Sequence, residues 1–183
     1  MRIIAGDARG RRILTPDSYD IRPTSDRVKE SLFNMIGAKF EGAQILDLFG
    51  GTGNLGLESI SRGALFCIFV DSSRESVKLI KQNIELLGYE KYSKVYTNDA
   101  QSALSILSKR EMKFDIIFMD PPYKKNIIPP LLTGIEEILN KDGILVVEHD
   151  IRDVLPERVG NTVNYRRKNY GDTVISLYKI AED

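Results

Sequence analysis

The sequence predicts an α/β fold: a mostly parallel sheet with helices on both faces. Three observations carry that prediction. Short apolar runs at residues 45–49, 66–71, 94–99, 114–120 and 143–148 alternate with stretches of helical period. The first run breaks abruptly into Gly50-Gly51-Thr52-Gly53, a tight turn that opens a helix. The chain then closes with two extended stretches, residues 162–168 and 173–179, around Asn169-Tyr170-Gly171-Asp172, a strong hairpin signal. Five parallel strands and this antiparallel C-terminal hairpin make a seven-stranded sheet.

Composition bounds the rest. With 183 residues and 42% hydrophobic content, residues 1–183 read as one domain with enough length for a sizeable core. Basic and acidic residues balance at 26 each, so a polyanionic partner would have to be met by a local surface. One cysteine and one histidine exclude a disulfide framework and a Cys/His zinc site, and no metal is expected. No signal-peptide core or membrane-length apolar run stands out, so the expectation is a soluble cytoplasmic protein and a monomer.

Residues 1–23 read as an arm before the core, which then takes in residues 24–183. Residues 2–6 and 11–15 look like two short strands of a β-hairpin, with Arg2, Arg9, Arg11 and Arg12 against one acid, Asp7. A solvated surface and a phosphate-contacting arm both fit that charge pattern. A helix capped by Thr24 or Ser25 follows. Its apolar face is expected at Val28, Leu32 and Met35/Ile36, with Arg27, Glu30 and Asn34 turned to water and Gly37 as its stop.

A crossover helix after Gly53 runs to Arg62. A second opens with Ser72 and Glu75 in capping-box spacing and ends at Gly88. A third occupies residues 100–109 and a fourth residues 128–139, with Pro129 and Pro130 tolerable in its first turn.

Four strands deliver polar groups to one edge of this sheet. Asp71 closes the second strand about twenty residues beyond the glycines, a spacing that suits an acid reaching ribose hydroxyls, with Ser72 beside it. Asp99, next to Ala100, would accept from an adenine amino group, cap the following helix, or do both. Asp47, Phe49, Gly50, Gly51, Thr52 and Gly53 would hold the rest of a nucleotide-like ligand. Gly51-Thr52-Gly53-Asn54-Leu55-Gly56 satisfies G-x-G-x-x-G and alone would fit NAD equally well.

The fourth strand decides the matter, because it runs into Asp120-Pro121-Pro122-Tyr123. An exocyclic amino group on a nucleobase is a poor nucleophile, its lone pair being delocalised into the ring. Two acceptors, the Asp120 carboxylate and the Pro121 carbonyl, would steer it and stabilise charge developing on nitrogen. Tyr123 offers a face on which a splayed base stacks. Hydride transfer has no use for such a loop.

These residues resemble the RsmD-like family of bacterial small-subunit ribosomal RNA guanine-N2 methyltransferases. The resemblance runs nearly end to end: residues 1–6, the helix from Arg22-Pro23-Thr24 to Asn34, Asp47 to Gly53, Gly56 to Ala64, Asp120 to Tyr123, and Tyr170 to Thr173. It implies a class I, Rossmann-like S-adenosylmethionine-dependent methyltransferase fold, with S-adenosyl-L-methionine as cofactor. It also implies methylation of one guanine in 16S rRNA within an assembled or late-assembly small ribosomal subunit. By the same resemblance Arg22, Thr24 and Arg27 adjoin the cofactor and active site; Asp120 is also a candidate cofactor contact, and Arg27 is grouped with Arg9, Arg11 and Arg12 as a candidate RNA contact. Competing readings are an adenine-N6 DNA methyltransferase, an NAD-dependent oxidoreductase and a non-catalytic RNA-binding assembly factor. The first lacks room for a DNA-reading domain, and the intact Asp-Pro-Pro-Tyr loop argues against the other two.

Overall fold

The apolar runs pair into an eight-stranded sheet in the computed structural model, which describes residues 1–16, 26–122 and 127–181. The strands are β1 (Gln44–Asp47), β2 (Phe66–Asp71), β3 (Ser93–Thr97), β4 (Phe114–Met119), β5 (Leu139–Asp150), β6 (Arg158–Val159), β7 (Thr162–Tyr170) and β8 (Thr173–Ile180). Their order is β3-β2-β1-β4-β5-β8-β7-β6. The first five run parallel and the last three antiparallel. The seven expected strands are thus joined by the two-residue β6 at the hairpin edge.

The chain runs outward from β1 through β2 to β3, then returns to the far side of β1 as β4. The carboxyl ends of β1 and β4 therefore flank the crevice where successive connections leave in opposite directions, the place where open α/β sheets take ligands.

Among the described residues five α-helices cover the faces: α1 (Asp26–Ile36), α2 (Asn54–Ser61), α3 (Arg74–Leu87), α4 (Ala100–Lys109) and α5 (Ile128–Leu132). Strand alternation divides the core in two. Ile45, Ile116 and Phe118 pack with α1, α2, α3 and the N-terminal segment. Leu46, Ile117 and Met119 pack with α4 and α5 on the other face. Among the described residues no helix is long and apolar enough to cross a membrane.

Several boundaries differ from the sequence reading. The apolar spacing at residues 128, 131, 132, 135, 138 and 139 predicts one long helix. α5 instead stops at Leu132, and tighter turns, with Ile135 N–H donating to Leu132 (3.3 Å) and Ile138 N–H to Ile135 (3.0 Å), carry the winding on. Gly134 weakens the helix there, and β5 begins at Leu139, four residues before the expected Gly143. α3 is capped by Ser73, whose hydroxyl accepts from Ser76 N–H, and not by Ser72. The third strand ends at Thr97, which leaves Asp99 to cap α4.

The expected N-terminal hairpin is reduced to a single antiparallel bridge, Arg2 to Arg12, flanked by Ile3 N–H to Arg11 (2.9 Å) and Ile13 N–H to Met1 (3.2 Å). Its ladder stops early because Glu58 takes the N–H groups of Ile4 (2.8 Å) and Ala5 (3.0 Å). On α1, Lys29 and Phe33 are buried with Leu32 and Ile36, while Val28 and Met35 are only partly covered. Arg27, Glu30 and Asn34 do face water.

The approach of α2 to β2 is set by Gly56. A Cβ there would stand 2.2 Å from the Phe69 ring and 2.7 Å from Cys67 Sγ, both fully buried. Gly56→Ala should therefore destabilise by about 1–3 kcal/mol despite the better helix propensity of alanine. At 2–4 °C per kcal/mol for a chain of this size, thermal unfolding should begin roughly 3–10 °C lower. An unchanged or raised Tm would contradict this packing.

Candidate active site

The glycine turn begins where β1 ends. Gly50 N–H donates to Val70 (3.0 Å), Gly53 N–H closes back on Gly50 (2.6 Å), and Gly51 and Gly53 take φ of +55° and +80°. Such left-handed backbone favours residues without a Cβ. Asp71, at the end of β2, fixes the turn from the side: its carboxylate accepts from Gly51 N–H (2.9 Å) and Ser73 N–H (2.8 Å). Because a carboxylate has about four acceptor positions, the half-buried Asp71 retains capacity for ligand hydroxyls.

Phe49, Ser72, Asp99 and Ala100 line a cavity of about 330 Å³, together with Leu48, Asn98, Gln101, Ile127, Pro130 and Leu131. The capping of α3 by Ser73 leaves Ser72 in this wall. Asp99 is exposed; its carboxylate accepts from Ser102 N–H (2.8 Å), and these hydrogen bonds hold its carboxyl below the usual range. The helix-cap reading of Asp99 is thus realised, at a position that also faces the cavity.

The crevice between β1 and β4 gathers acids. Asp47 is buried and accepts from Gly56 N–H at 3.2 Å. Burial pushes its carboxyl up from 3.8 to about 7, against the lowering by the Gly56 hydrogen bond and with a small push from Asp71. Asp120, just past β4, is raised well above the usual range, first by burial and then by the negative charges of Glu148 and Asp47. Pro121 beside it is buried and Pro122 exposed. Burial and the neighbouring negative charges thus oppose ionisation of both Asp47 and Asp120, and a cationic ligand would relieve them.

Glu148 was not singled out from the sequence. Its signal was the one that marked Asp71: an apolar run followed by an acid toward the same sheet edge, here residues 144–147 and then Glu148 within β5.

A second cluster, also unforeseen, ties the N-terminal segment to the glycine turn. Lys29 of α1 is fully buried; its ammonium donates to the Arg2 carbonyl (2.5 Å) and Asn54 Oδ1 (2.8 Å) and lies 3.1 Å from Glu58. Glu58 also accepts from Arg62 Nε at 2.9 Å. Burial lowers the Lys29 pKa while the Glu58 charge opposes that shift. Asn83 of α3 repeats the connection: its amide donates to the carbonyls of Thr52 (2.9 Å) and Leu14 (3.1 Å) and accepts from Leu14 N–H (2.7 Å).

Of the arm arginines, Arg9, Arg11 and Arg12 are all exposed. The Arg11 guanidinium reaches the Leu86 and Leu87 carbonyls, where α3 presents the negative end of its dipole. Arg22, Thr24 and Tyr123 lie outside the described residues.

A mostly parallel sheet closed by an antiparallel hairpin, with its glycine turn and acids at the switch between β1 and β4, is the class I S-adenosylmethionine-dependent methyltransferase fold. The solved structure "Putative methyltransferase yhhF from Escherichia coli" superposes with a TM-score of 0.87 at 31% identity, covering 100% of this chain and 99% of that one. The chain belongs to the family described as "Conserved hypothetical protein 95", whose family model matches residues 1–179, and which takes in the RsmD-like proteins. The curated relative "Putative rRNA methyltransferase YlbH" of Bacillus subtilis is 46% identical over 181 residues, 98% of each chain. "Ribosomal RNA small subunit methyltransferase D" of Escherichia coli is 33% identical, over 98% of this chain and 89% of that protein.

The Asp47 shift has a consequence for stability. Between about pH 4 and about pH 7 the unfolded chain has lost this proton while the folded chain keeps it. Folding stability therefore falls as pH rises through that window, by about 1.4 kcal/mol per unit, and stays reduced above it. Asp47→Asn removes this dependence. Ligand-free Asp47→Asn should melt several degrees above the wild type at pH 8 and close to it at pH 4.5. A difference in Tm that does not grow with pH would contradict the assignment.

Proposed function

We propose that this protein transfers a methyl group from S-adenosyl-L-methionine to the exocyclic N2 of a guanine in 16S rRNA of the small ribosomal subunit. The observation that carries the reading is Asp120, crowded by Glu148 and Asp47 at the switch of an open sheet and followed by a buried proline. The names borne by the relatives support ribosomal RNA as the substrate class. Methylation of one guanine within an assembled or late-assembly subunit, by a cytoplasmic monomer, belongs to the same proposal.

The residues fit the cofactor. The left-handed glycine turn leaves open space beside Gly51, where a Cβ would meet nothing nearer than 3.9 Å. Asp71 stands at the ribose position, and the cavity walled by Phe49, Ser72, Asp99 and Ala100 suits an adenine. The acids of the crevice suit a ligand that carries positive charge. When bound, S-adenosylmethionine supplies a methyl group on a positively charged sulfur, which leaves as a neutral thioether.

In this reading Asp120 and the Pro121 carbonyl accept the two hydrogens of the guanine amino group and turn its lone pair toward the methyl carbon. With the cofactor held by the glycine turn and Asp71, a nitrogen–carbon bond would form as the cofactor's carbon–sulfur bond breaks, its electron pair leaving with sulfur. The charge that appears on nitrogen is stabilised by the Asp120 carboxylate, and the nitrogen then loses a proton to solvent. Tyr123 stacks on the base and holds it out of its own helix. The proposal also assigns Arg22 and Thr24 to the cofactor. Alignment of the reacting atoms supplies much of the acceleration, so the chain needs no separate general base before attack.

Asp120 must be ionised to act, and its raised pKa makes that step pH-dependent. Single-turnover methyl transfer on unmethylated small subunits should therefore rise with pH until Asp120 is ionised in the complex. Asp120→Asn should lower the rate by about two to three orders of magnitude and flatten that rise. The product nucleoside should be N2-methylguanosine. A folded Asp120→Asn variant with near-wild-type rates would overturn the mechanism, and a different methylated nucleoside would overturn the guanine target.

A further inference from the structure

The C-terminal hairpin carries a charge concentration that the reaction does not use. From Arg158 to Tyr170 the chain holds four basic residues and no acid, within a protein whose overall charge is zero. β6 covers only Thr162 and Val163 of β7, and Asn164 N–H is taken by Glu157 (2.8 Å). From Tyr165 onward the outer edge of β7 therefore has no partner strand among the described residues.

Alternation sorts the side chains of that stretch. A bulge at Tyr165 resets the register, after which Arg166, Lys168 and Tyr170 share one face and Arg167 takes the other. Arg167 is engaged there, with Ser176 (3.2 Å) and Glu157 (3.2 Å). The first face lies against α1: Ser31 hydrogen-bonds Tyr170 Oη and accepts from the Lys168 ammonium at 3.1 Å. Lys168 also lies 5.3 Å from the Tyr170 ring centre. With three donors, its ammonium retains capacity for another acceptor.

On α1, exposed Arg27 and Asn34 lie one turn to either side of Ser31, whereas Glu30 is about 100° round the helix from it. Arg166, Lys168 and Arg27 thus form a basic strip with Tyr170 in its midst. The strip leads to the catalytic edge, because Tyr170 pairs with Thr173, and Thr173 pairs with Asp150, two residues past Glu148.

Arginine and lysine on an open strand edge also deter edge-to-edge pairing. That need would be met by charge on either face, and it does not explain a matching arginine on α1 or an aromatic ring between the cations. A strip of guanidinium and ammonium groups leading to a nucleobase site has the chemistry of a phosphodiester contact.

We infer that Arg166 and Lys168 of β7, with Arg27 of α1, dock the sugar-phosphate backbone of the RNA that enters the active site. The inference rests on the reading of the protein as an RNA methyltransferase. It shifts the main backbone contact from the N-terminal arm, where Arg11 is held by the end of α3, to the C-terminal hairpin.

The test compares two double variants of the full chain that remove equal charge. Arg166→Gln/Lys168→Gln alters the strip; Lys113→Gln/Lys141→Gln alters two exposed lysines at the opposite end of the strands. Binding to purified, unmethylated small ribosomal subunits is measured across a salt series, with methyl transfer read in the same samples. The strip variant should reduce the slope of log affinity against log salt by about 0.7–0.9 for each phosphate left without its cation. It should also raise KM about tenfold and leave kcat at saturating subunit and cofactor affinity within twofold. The control variant should match the wild type. Equal slopes in all three proteins, equal losses in both variants, or no subunit binding by the wild type would overturn the proposal. Wild-type binding without methyl transfer, with the strip variant still weakened, would refute the catalytic reading and leave the strip as an RNA contact.

Discussion

The pairing of Lys29 with Glu58 is the constraint on which the arrangement around the glycine turn depends. Neither side chain is exposed, so each charge is neutralised by the other and by a full set of hydrogen bonds. A buried pair of this kind contributes little net stability compared with apolar residues of similar volume. Breaking it by losing one partner typically costs about 3–5 kcal/mol, because a charge is stranded. Its geometric effect is more distinctive. Lys29 brings α1, the Arg2 carbonyl and Asn54 to one point, and Glu58 adds the backbone of Ile4 and Ala5. The N-terminal segment, the first helix and the start of α2 are thereby held in one fixed relation.

Electrostatics on the two sides of β1 differ accordingly. On the Lys29 side, opposite charges are matched and closed off from solvent. In the crevice toward β4, like charges gather, and burial makes their ionisation costly. The first arrangement ties elements together, and the second leaves two carboxyl groups whose ionisation is opposed. Positive charge placed in that crevice would favour ionisation of both carboxyl groups.

Most of the fold was legible because the pattern was strong: five apolar strands, a glycine turn and a hairpin with Gly171 at its tip. Asp71 and Asp120 were legible for a related reason, since a carboxylate that ends an apolar run falls at the sheet edge, and Asp47 was legible from its place just before the glycines. The failures have separate causes. Apolar spacing alone does not distinguish a helix from successive tight turns, so residues 133–138 read as α5. A lysine on an amphipathic helix reads as solvent-facing, and only the partner at Glu58, twenty-nine positions along, explains its burial. Arg11 looked available because its acceptors are main-chain carbonyls, which leave no trace in composition. Ser72 and Ser73 are adjacent and equally able to cap, and backbone geometry chose between them.

The ties from the N-terminal segment also bear on how the chain is made. Ala5 and Arg11 bind groups 53 and 76 residues further along, and Leu14 binds Asn83. The segment is synthesised before any of these partners exist. At roughly 5–20 residues per second its apolar side chains wait several seconds for α2 and α3 to emerge. Ile3 and Ile13, both buried in the finished protein, spend that interval uncovered. This early stretch of the chain is thus among the last to find its place, and two of the side chains that finish in the core must wait for partners made later.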